Sequence, residues 1–231
     1  MKLLIDIGNT SAKLAIADPT GEMLHTERLA EAWGDAIARL CRDYSPRCCV
    51  VSCVGYDDPA LHAALSDSGL PTVWLSASTP CDIQGIPEGY GADRLAADIG
   101  AYAGQRALLV VDAGTCITYD LIVDGTLRGG VISPGVQLRL RAMHDHTAAL
   151  PLVDAQSAGQ SVALMPCDTV NCMLSAALHG VRYEVEGYVR SLMREYPDLC
   201  VVLTGGNRVS LPDDIPHTYD PLLVLRGLCK L

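Results

Sequence analysis

Apolar residues along this chain gather in short runs, each closed by glycine, proline, aspartate or asparagine, with stretches of helical spacing between them. The opening run Leu3-Leu4-Ile5-Asp6-Ile7 stops at Gly8-Asn9-Thr10. A loosened counterpart, Leu109-Val110-Val111-Asp112-Ala113, stops at Gly114-Thr115, about half the chain further on. The stretches after the two copies also match: a second apolar segment (13–17 and 116–123), a turn (Asp18-Pro19-Thr20-Gly21 and Asp124-Gly125) and a third segment (23–29 and 126–133). Each half is therefore expected to open as a three-stranded meander. Helical spacing comes next over 29–44 and over 136–149, the latter entered through Pro134-Gly135. Each half then adds a buried strand, Cys48-Cys49-Val50-Val51-Ser52-Cys53-Val54 in the first and Cys200-Val201-Val202-Leu203 in the second, closed by Thr204-Gly205-Gly206. The first half continues with Val73-Trp74-Leu75 and a helix over 91–105, and the second holds a long helix over 168–196. Strands interleaved with helices, twice over, predict two α/β domains, 1–104 and 105–231, with a cleft between them. In the long helix, Val170, Leu174, Ala177, Leu178, Val181, Val185 and Val189 recur near helical spacing, as core or as a face for a second copy.

Charge narrows the partners. The chain has 27 acidic against 17 basic residues, a formal net charge of −10. Nucleic acids and anionic membranes both require a basic surface, so neither is an expected partner, and any phosphate must be held locally. No apolar run approaches the ~20 residues of a membrane span. The start reaches Asp6 after only three apolar residues, unlike a secretory signal, which points to a soluble cytoplasmic protein. Ten cysteines include no C-x-x-C pair, so neither a zinc ribbon nor a thioredoxin-like site is supported. They are expected to be reduced and to serve as small buried hydrophobes.

The repeated hairpins carry the candidate chemistry. Gly8 lets the backbone turn tightly beside a ligand, and Asn9 and Thr10 offer hydrogen bonds to phosphate oxygens. An acidic Asp6 beside a polyphosphate requires a cation between them, which makes Asp6 a candidate for Mg²⁺, directly or by way of water. Lys13 adds a point charge. Either hairpin alone could be an ordinary turn, but two copies at matching places favour a ligand site. No P-loop pattern competes.

Paired D-x-G-T hairpins of this kind resemble the nucleotide site of actin, the sugar kinases and the heat-shock ATPase chaperones. The ordered set Asp6-Ile7-Gly8-Asn9-Thr10-Ser11-Ala12-Lys13, Gly91-Ala92-Asp93-Arg94, Asp112-Ala113-Gly114-Thr115, Gly129-Gly130-Val131-Ile132-Ser133-Pro134-Gly135 and Thr204-Gly205-Gly206 is similar to type III pantothenate kinases from end to end. The resemblance implies two duplicated ribonuclease-H-like domains of the actin-like ATPase kind. It implies ATP-dependent phosphorylation of pantothenate to phosphopantothenate, the first step of coenzyme A biosynthesis, by a homodimer. It places ATP phosphate contacts on Asp6, Ile7, Gly8, Asn9, Thr10, Ser11, Ala12 and Lys13, with a further one on Thr115. It also implies a monovalent cation, K⁺ or NH₄⁺, at Asp112, a substrate pocket lined by Gly91, Ala92, Asp93 and Arg94, and Asp93 as catalytic base.

Taken without the resemblance, these residues leave alternatives open. Asp93 follows a glycine turn at a helix start, where a carboxylate can accept a substrate proton but is also a common cap. Arg94 can hold a carboxylate or phosphoryl group, or simply form a surface ion pair. Gln84 stands about where the family carries a substrate-binding tyrosine, and Tyr90 is too close to Gly91 to replace it clearly. A family threonine that helps bind substrate across the dimer falls near Cys172 or Met173, with Thr169 the nearest hydroxyl. His144 and His146 alternate and so point apart on a helix, against a metal pair. These departures keep alive a kinase for another small alcohol. A silent nucleotide-binding regulator is the rival of another class, against which Asp93 and Arg94 both speak.

Overall fold

Both expected meanders are present in the computed structural model, which describes residues 1–29, 32–54, 58–157, 162–207 and 209–231. In the first half, β1 (Lys2–Ile7), β2 (Ala12–Ala17), β3 (Met23–Arg28), β4 (Cys48–Cys53) and β5 (Thr72–Trp74) form a sheet in the order β3-β2-β1-β4-β5. In the second, β6 (Ala107–Ala113), β7 (Cys116–Val123), β8 (Thr126–Pro134), β9 (Cys200–Thr204) and β10 (Thr218–Tyr219) take the order β10-β9-β6-β7-β8. Read from its other edge, this is the same topology. In each sheet the leading strand lies at the centre, antiparallel to the next strand and parallel to the strand that returns after the helical stretch, β4 in the first and β9 in the second. A central strand is covered on both faces, which is why β1 and β6 read as continuous apolar runs instead of alternating ones.

The helices are α1 (Trp33–Tyr44), α2 (Pro59–Ser68), α3 (Ala92–Ala101), α4 (Val136–Asp145), α5 (Thr169–Glu195) and α6 (Leu223–Cys229). Trp33, Ala36, Ile37 and Leu40 bury one face of α1, and Ser45 ends it in the left-handed region. α2 starts on Asp58, whose carboxylate accepts from the Ala60 amide, with Pro59 in the first helical position. Asp168 caps α5 by accepting from the Asn171 amide at 3.0 Å. Leu174, Ala177, Val181, Val185 and Val189 of α5 are buried in one core with β6 and β9, so this stripe is spent inside the chain; of the other two, Leu178 is half-buried and Val170 is exposed.

The chain divides into two compact units, residues 1–104 with 125–127 and 222–231, and residues 105–124 with 128–221. The C-terminal helix α6 therefore belongs to the first unit, where it packs on α3, β1 and β4. Its approach to α3 is close because Gly100 and Gly227 face the partner helix: a Cβ on Gly227 would overlap the Ala96 carbonyl, and one on Gly100 the Leu223 carbonyl. Lys230 then donates to the carbonyls of Ile99, Gly100 and Tyr102 at 2.7, 3.0 and 3.0 Å, satisfying the open end of α3.

Three elements, α2, β10 and α6, lie outside what the linear pattern predicts. The cysteine expectation needs correcting. Cys49 is buried, but Cys167, Cys172 and Cys200 are exposed and the others intermediate: Cys48, Cys53, Cys116 and Cys200 stand at strand ends, Cys167 and Cys172 at the entrance of α5, Cys81 in a loop, and Cys41 and Cys229 late in α1 and α6. No helix among the described residues is long and apolar enough to cross a membrane.

Candidate functional site

The two hairpins are built alike. In the first, the Gly8 amide donates to the Ser11 carbonyl at 3.1 Å; in the second, the Gly114 amide donates to the Cys116 carbonyl at 2.9 Å. The second loop is shorter by one residue, as its sequence lacks the counterpart of Asn9. Asn9, Thr10 and Ser11 stand exposed at the first tip, and Thr115 is exposed at the second.

Strand register decides what surrounds each aspartate. Asp6 lies opposite Lys13 of β2 on one side and beside Ser52 of β4 on the other. Asp112 lies opposite Thr118 and beside Thr204 in the equivalent places. Each aspartate thus has a hydroxyl residue as its parallel neighbour. Asp6 is buried, and Ser52 is fully buried with a hydroxyl that has no hydrogen-bond partner among the described residues. A sealed hydroxyl without a partner is costly unless a ligand or water completes it. The pair Asp6 and Ser52 accordingly suits a hydrated cation.

The Asp112 carboxylate sits in a cradle of glycine backbone. Gly205 has φ +98°, and a Cβ there would come within 2.5 Å of both the Asp112 carboxylate and the Ala113 carbonyl. Asn207 clamps the same hairpin, its amide donating to the Ala113 carbonyl at 2.8 Å and its side chain to the Gly114 carbonyl at 2.7 Å. Gly135 docks from the entrance of α4, donating to the Thr115 carbonyl at 3.0 Å; a side chain there would strike the Gly114 and Thr115 carbonyls. Among the described residues no group of three His, Cys, Asp or Glu could hold a metal. A cation at Asp6 or Asp112 would therefore take its remaining ligands from water, backbone or bound phosphate, as Mg²⁺ commonly does. His144 is engaged with the Leu150 carbonyl at 2.7 Å.

At the start of α3, Gly91 is the N-cap, and Ala92, Asp93 and Arg94 form the first turn. One Asp93 carboxylate oxygen accepts from the Arg94 amide at 2.7 Å, so the side chain takes part in the helix terminus while staying half-buried. A Cβ on Gly91 would lie 2.8 Å from that oxygen, so any side chain there would have to turn the Asp93 carboxylate out of this position. Tyr90 supports the turn: its ring lies 4.5 Å under the Arg94 guanidinium and its hydroxyl donates to buried Asp98 at 2.8 Å. Gln84 is exposed, with its backbone paired to residues 125–127. Thr169, Cys172 and Met173 are in the second unit, lining a cavity of about 360 Å³ together with Met143 and Leu150.

Asp6, Lys13 and Ser52 are thus brought together in the first unit, and Asp112, Gly114, Thr115, Gly135, Gly205 and Asn207 in the second. Ser52 and Asn207 carry no motif that marks them in the sequence. The available signal is positional: Ser52 is near the end of β4, and Asn207 follows the Thr204-Gly205-Gly206 stretch that closes the equivalent β9.

A family model for type III pantothenate kinases matches residues 2–191. A curated type III pantothenate kinase from Bacteroides fragilis is 36% identical, with 100% of this chain and 97% of the relative covered. One from Phocaeicola vulgatus is 34% identical over the same shares. Among solved structures, the ethanolamine utilization protein EutJ from Carboxydothermus hydrogenoformans superposes with a TM-score of 0.57 at 15% identity, covering 99% of this chain and 88% of that one. A ROK family glucokinase from Streptomyces griseus gives 0.50 at 16% identity, covering 99% and 98%. With the duplicated sheet topology, these likenesses establish the actin-like two-domain α/β fold.

Proposed function

The chain belongs to the type III pantothenate kinase family, and we propose that it transfers the γ-phosphoryl group of ATP to the primary hydroxyl of pantothenate, opening coenzyme A biosynthesis. The observation that carries the reading is the duplicated hairpin, each copy placing an aspartate, a tight glycine turn and exposed hydroxyls at a strand end. In this reading Asp6, Ile7, Gly8, Asn9, Thr10, Ser11, Ala12 and Lys13 hold the triphosphate through backbone amides, hydroxyls and the lysine ammonium, and Thr115 adds a contact from the second hairpin. Asp93 accepts the hydroxyl proton as oxygen attacks phosphorus. Its bond from the Arg94 amide fixes the plane of the carboxylate before substrate arrives, which favours reaction through alignment. Arg94, with its guanidinium over the Tyr90 ring, receives the pantothenate carboxylate beside Gly91 and Ala92.

Mg²⁺ near Asp6 and K⁺ or NH₄⁺ near Asp112 would neutralise phosphate charge. The buried hydroxyl of Ser52 and the glycine cradle around Asp112 support these placements. We place the enzyme in the cytoplasm as a homodimer, for which exposed Ile132 on β8 and Tyr183 on α5 offer apolar surface; light scattering on the purified chain would return a monomer mass if this is wrong.

A steady-state assay with ATP, Mg²⁺, K⁺ and pantothenate, with the product identified by mass, tests the whole reading. Phosphopantothenate is the expected product. Absence of product from folded, nucleotide-binding protein would overturn it in favour of another alcohol or a silent regulator. Replacing K⁺ by Na⁺ should lower the rate if Asp112 holds the monovalent ion.

A further inference from the structure

We propose that Cys167 and Cys172 form a reversible intramolecular disulfide at the entrance of α5, a modification site independent of the phosphoryl-transfer reading. Three of the ten free cysteines are exposed, and these are two of them. Cys49, by contrast, is buried, and burial together with its thiol neighbours pushes it up to about 12, which keeps it unreactive.

Position brings the pair together. Asp168 is the N-cap of α5, so Cys167 occupies the position just before the cap and Cys172 the fourth helical position. Side chains at these two places meet across the first helical turn, in the geometry that apolar residues use to staple a helix start. The Cys172 thiol confirms the direction, because its sulfur donates to the Pro166 carbonyl at 3.3 Å. That carbonyl belongs to the peptide leading into Cys167, whose Cα lies about 2.8 Å from it by standard geometry. The Cys172 sulfur is therefore within about 6 Å of the Cys167 Cα, a separation from which rotation about the two χ1 angles brings the sulfurs toward each other. Both residues line the same cavity of about 360 Å³.

The oxidant is a low-molecular-weight disulfide. The thiolate of one cysteine attacks a sulfur of the reagent, forming a mixed disulfide and expelling one reagent thiolate. The second cysteine, as thiolate, attacks the protein sulfur of that mixed disulfide, forming the Cys167–Cys172 bond and expelling the other reagent thiolate. Two protein thiols are oxidised, one reagent disulfide is reduced to two thiols, and the two protein protons end on the leaving thiolates. The cross-link fixes the first turn of α5 against the segment before it and stiffens the cavity wall that faces Met143 and Leu150.

Incubating the native full chain with oxidised glutathione, blocking free thiols by alkylation and mapping peptides by mass provides the test. The peptide carrying both residues should lose two hydrogens, take no alkylating label and regain both thiols with dithiothreitol. Cys167→Ser and Cys172→Ser should each retain one glutathione on the surviving cysteine, since nothing remains to displace it. A stable glutathione adduct on Cys167 or Cys172 of the unaltered chain would overturn the proposal, as would oxidation confined to Cys200 or to the cysteines of β4.

Discussion

At Gly205 a single methyl group would be enough to disturb the second hairpin. Its φ of +98° is a region L-residues rarely adopt, and a Cβ would press on the Asp112 carboxylate and the Ala113 backbone at 2.5 Å. Gly205→Ala should cost ~1–3 kcal/mol, seen as a lower urea midpoint, and an unchanged midpoint would refute the crowding. Asp93 poses the opposite case, a residue whose removal should leave the fold alone. Asparagine preserves its size and the acceptor for the Arg94 amide but cannot take a proton. Asp93→Asn is expected to lose turnover while nucleotide affinity stays near the unaltered value; full turnover would return Asp93 to a capping role. The sequence makes Asp93 noticeable through Gly91, yet cannot show that Tyr90 is spent on Asp98 and Arg94, because that contact depends on how the turn folds over the helix.

Between elements, Glu184 of α5 is the main polar tie of the second unit. Its carboxylate accepts from Tyr119 of β7 at 2.8 Å, and from Ser133 of β8 and Arg139 of α4. Burial works to raise the Glu184 carboxyl, but the bonds from Ser133, Arg139 and Tyr119 outweigh it and hold the group below the ordinary 4.5. Burial and the same carboxylate push the Tyr119 phenol up, which keeps it a donor. A depressed folded value means that this stabilisation is complete above about pH 4.5 and fades as pH falls through the lower folded value. Glu184→Gln should therefore cost ~1.5–3 kcal/mol at pH 7 and progressively less in acid, read from urea unfolding at several pH values. An equal deficit at pH 7 and at strongly acid pH would contradict the assignment. The helix that carries Glu184 is legible from its apolar spacing, a local feature. α6 is not: Leu223, Val224, Leu225 and Leu228 are all buried and Arg226 is the one exposed residue of the seven, too little polar face to reveal a period.

At the scale of the molecule, the repeat is not a simple doubling of independent folding units, because α6 from the end of the chain completes the first unit. Removing residues 222–231 should expose the faces of α3, β1 and β4 that it covers and unfold the first unit at lower temperature, as calorimetry would register. A truncated chain with unaltered unfolding would show that α6 contributes nothing there. Such a role is invisible in the linear pattern, where these residues read simply as the end of the second half. What the sequence determined by itself was local: which runs become strands, where glycine turns them, where α5 runs, and that the plan occurs twice. Those properties depend on residues a few positions apart, through alternation, turn chemistry and helical spacing. Only the tertiary structure decided that Ser52 stands beside Asp6, that Thr204 stands beside Asp112, that Asn207 and Gly135 close on the second hairpin, and that α6 lies on α3. Such neighbours are chosen by strand order and by close backbone approach across long stretches of chain, and no local pattern encodes either.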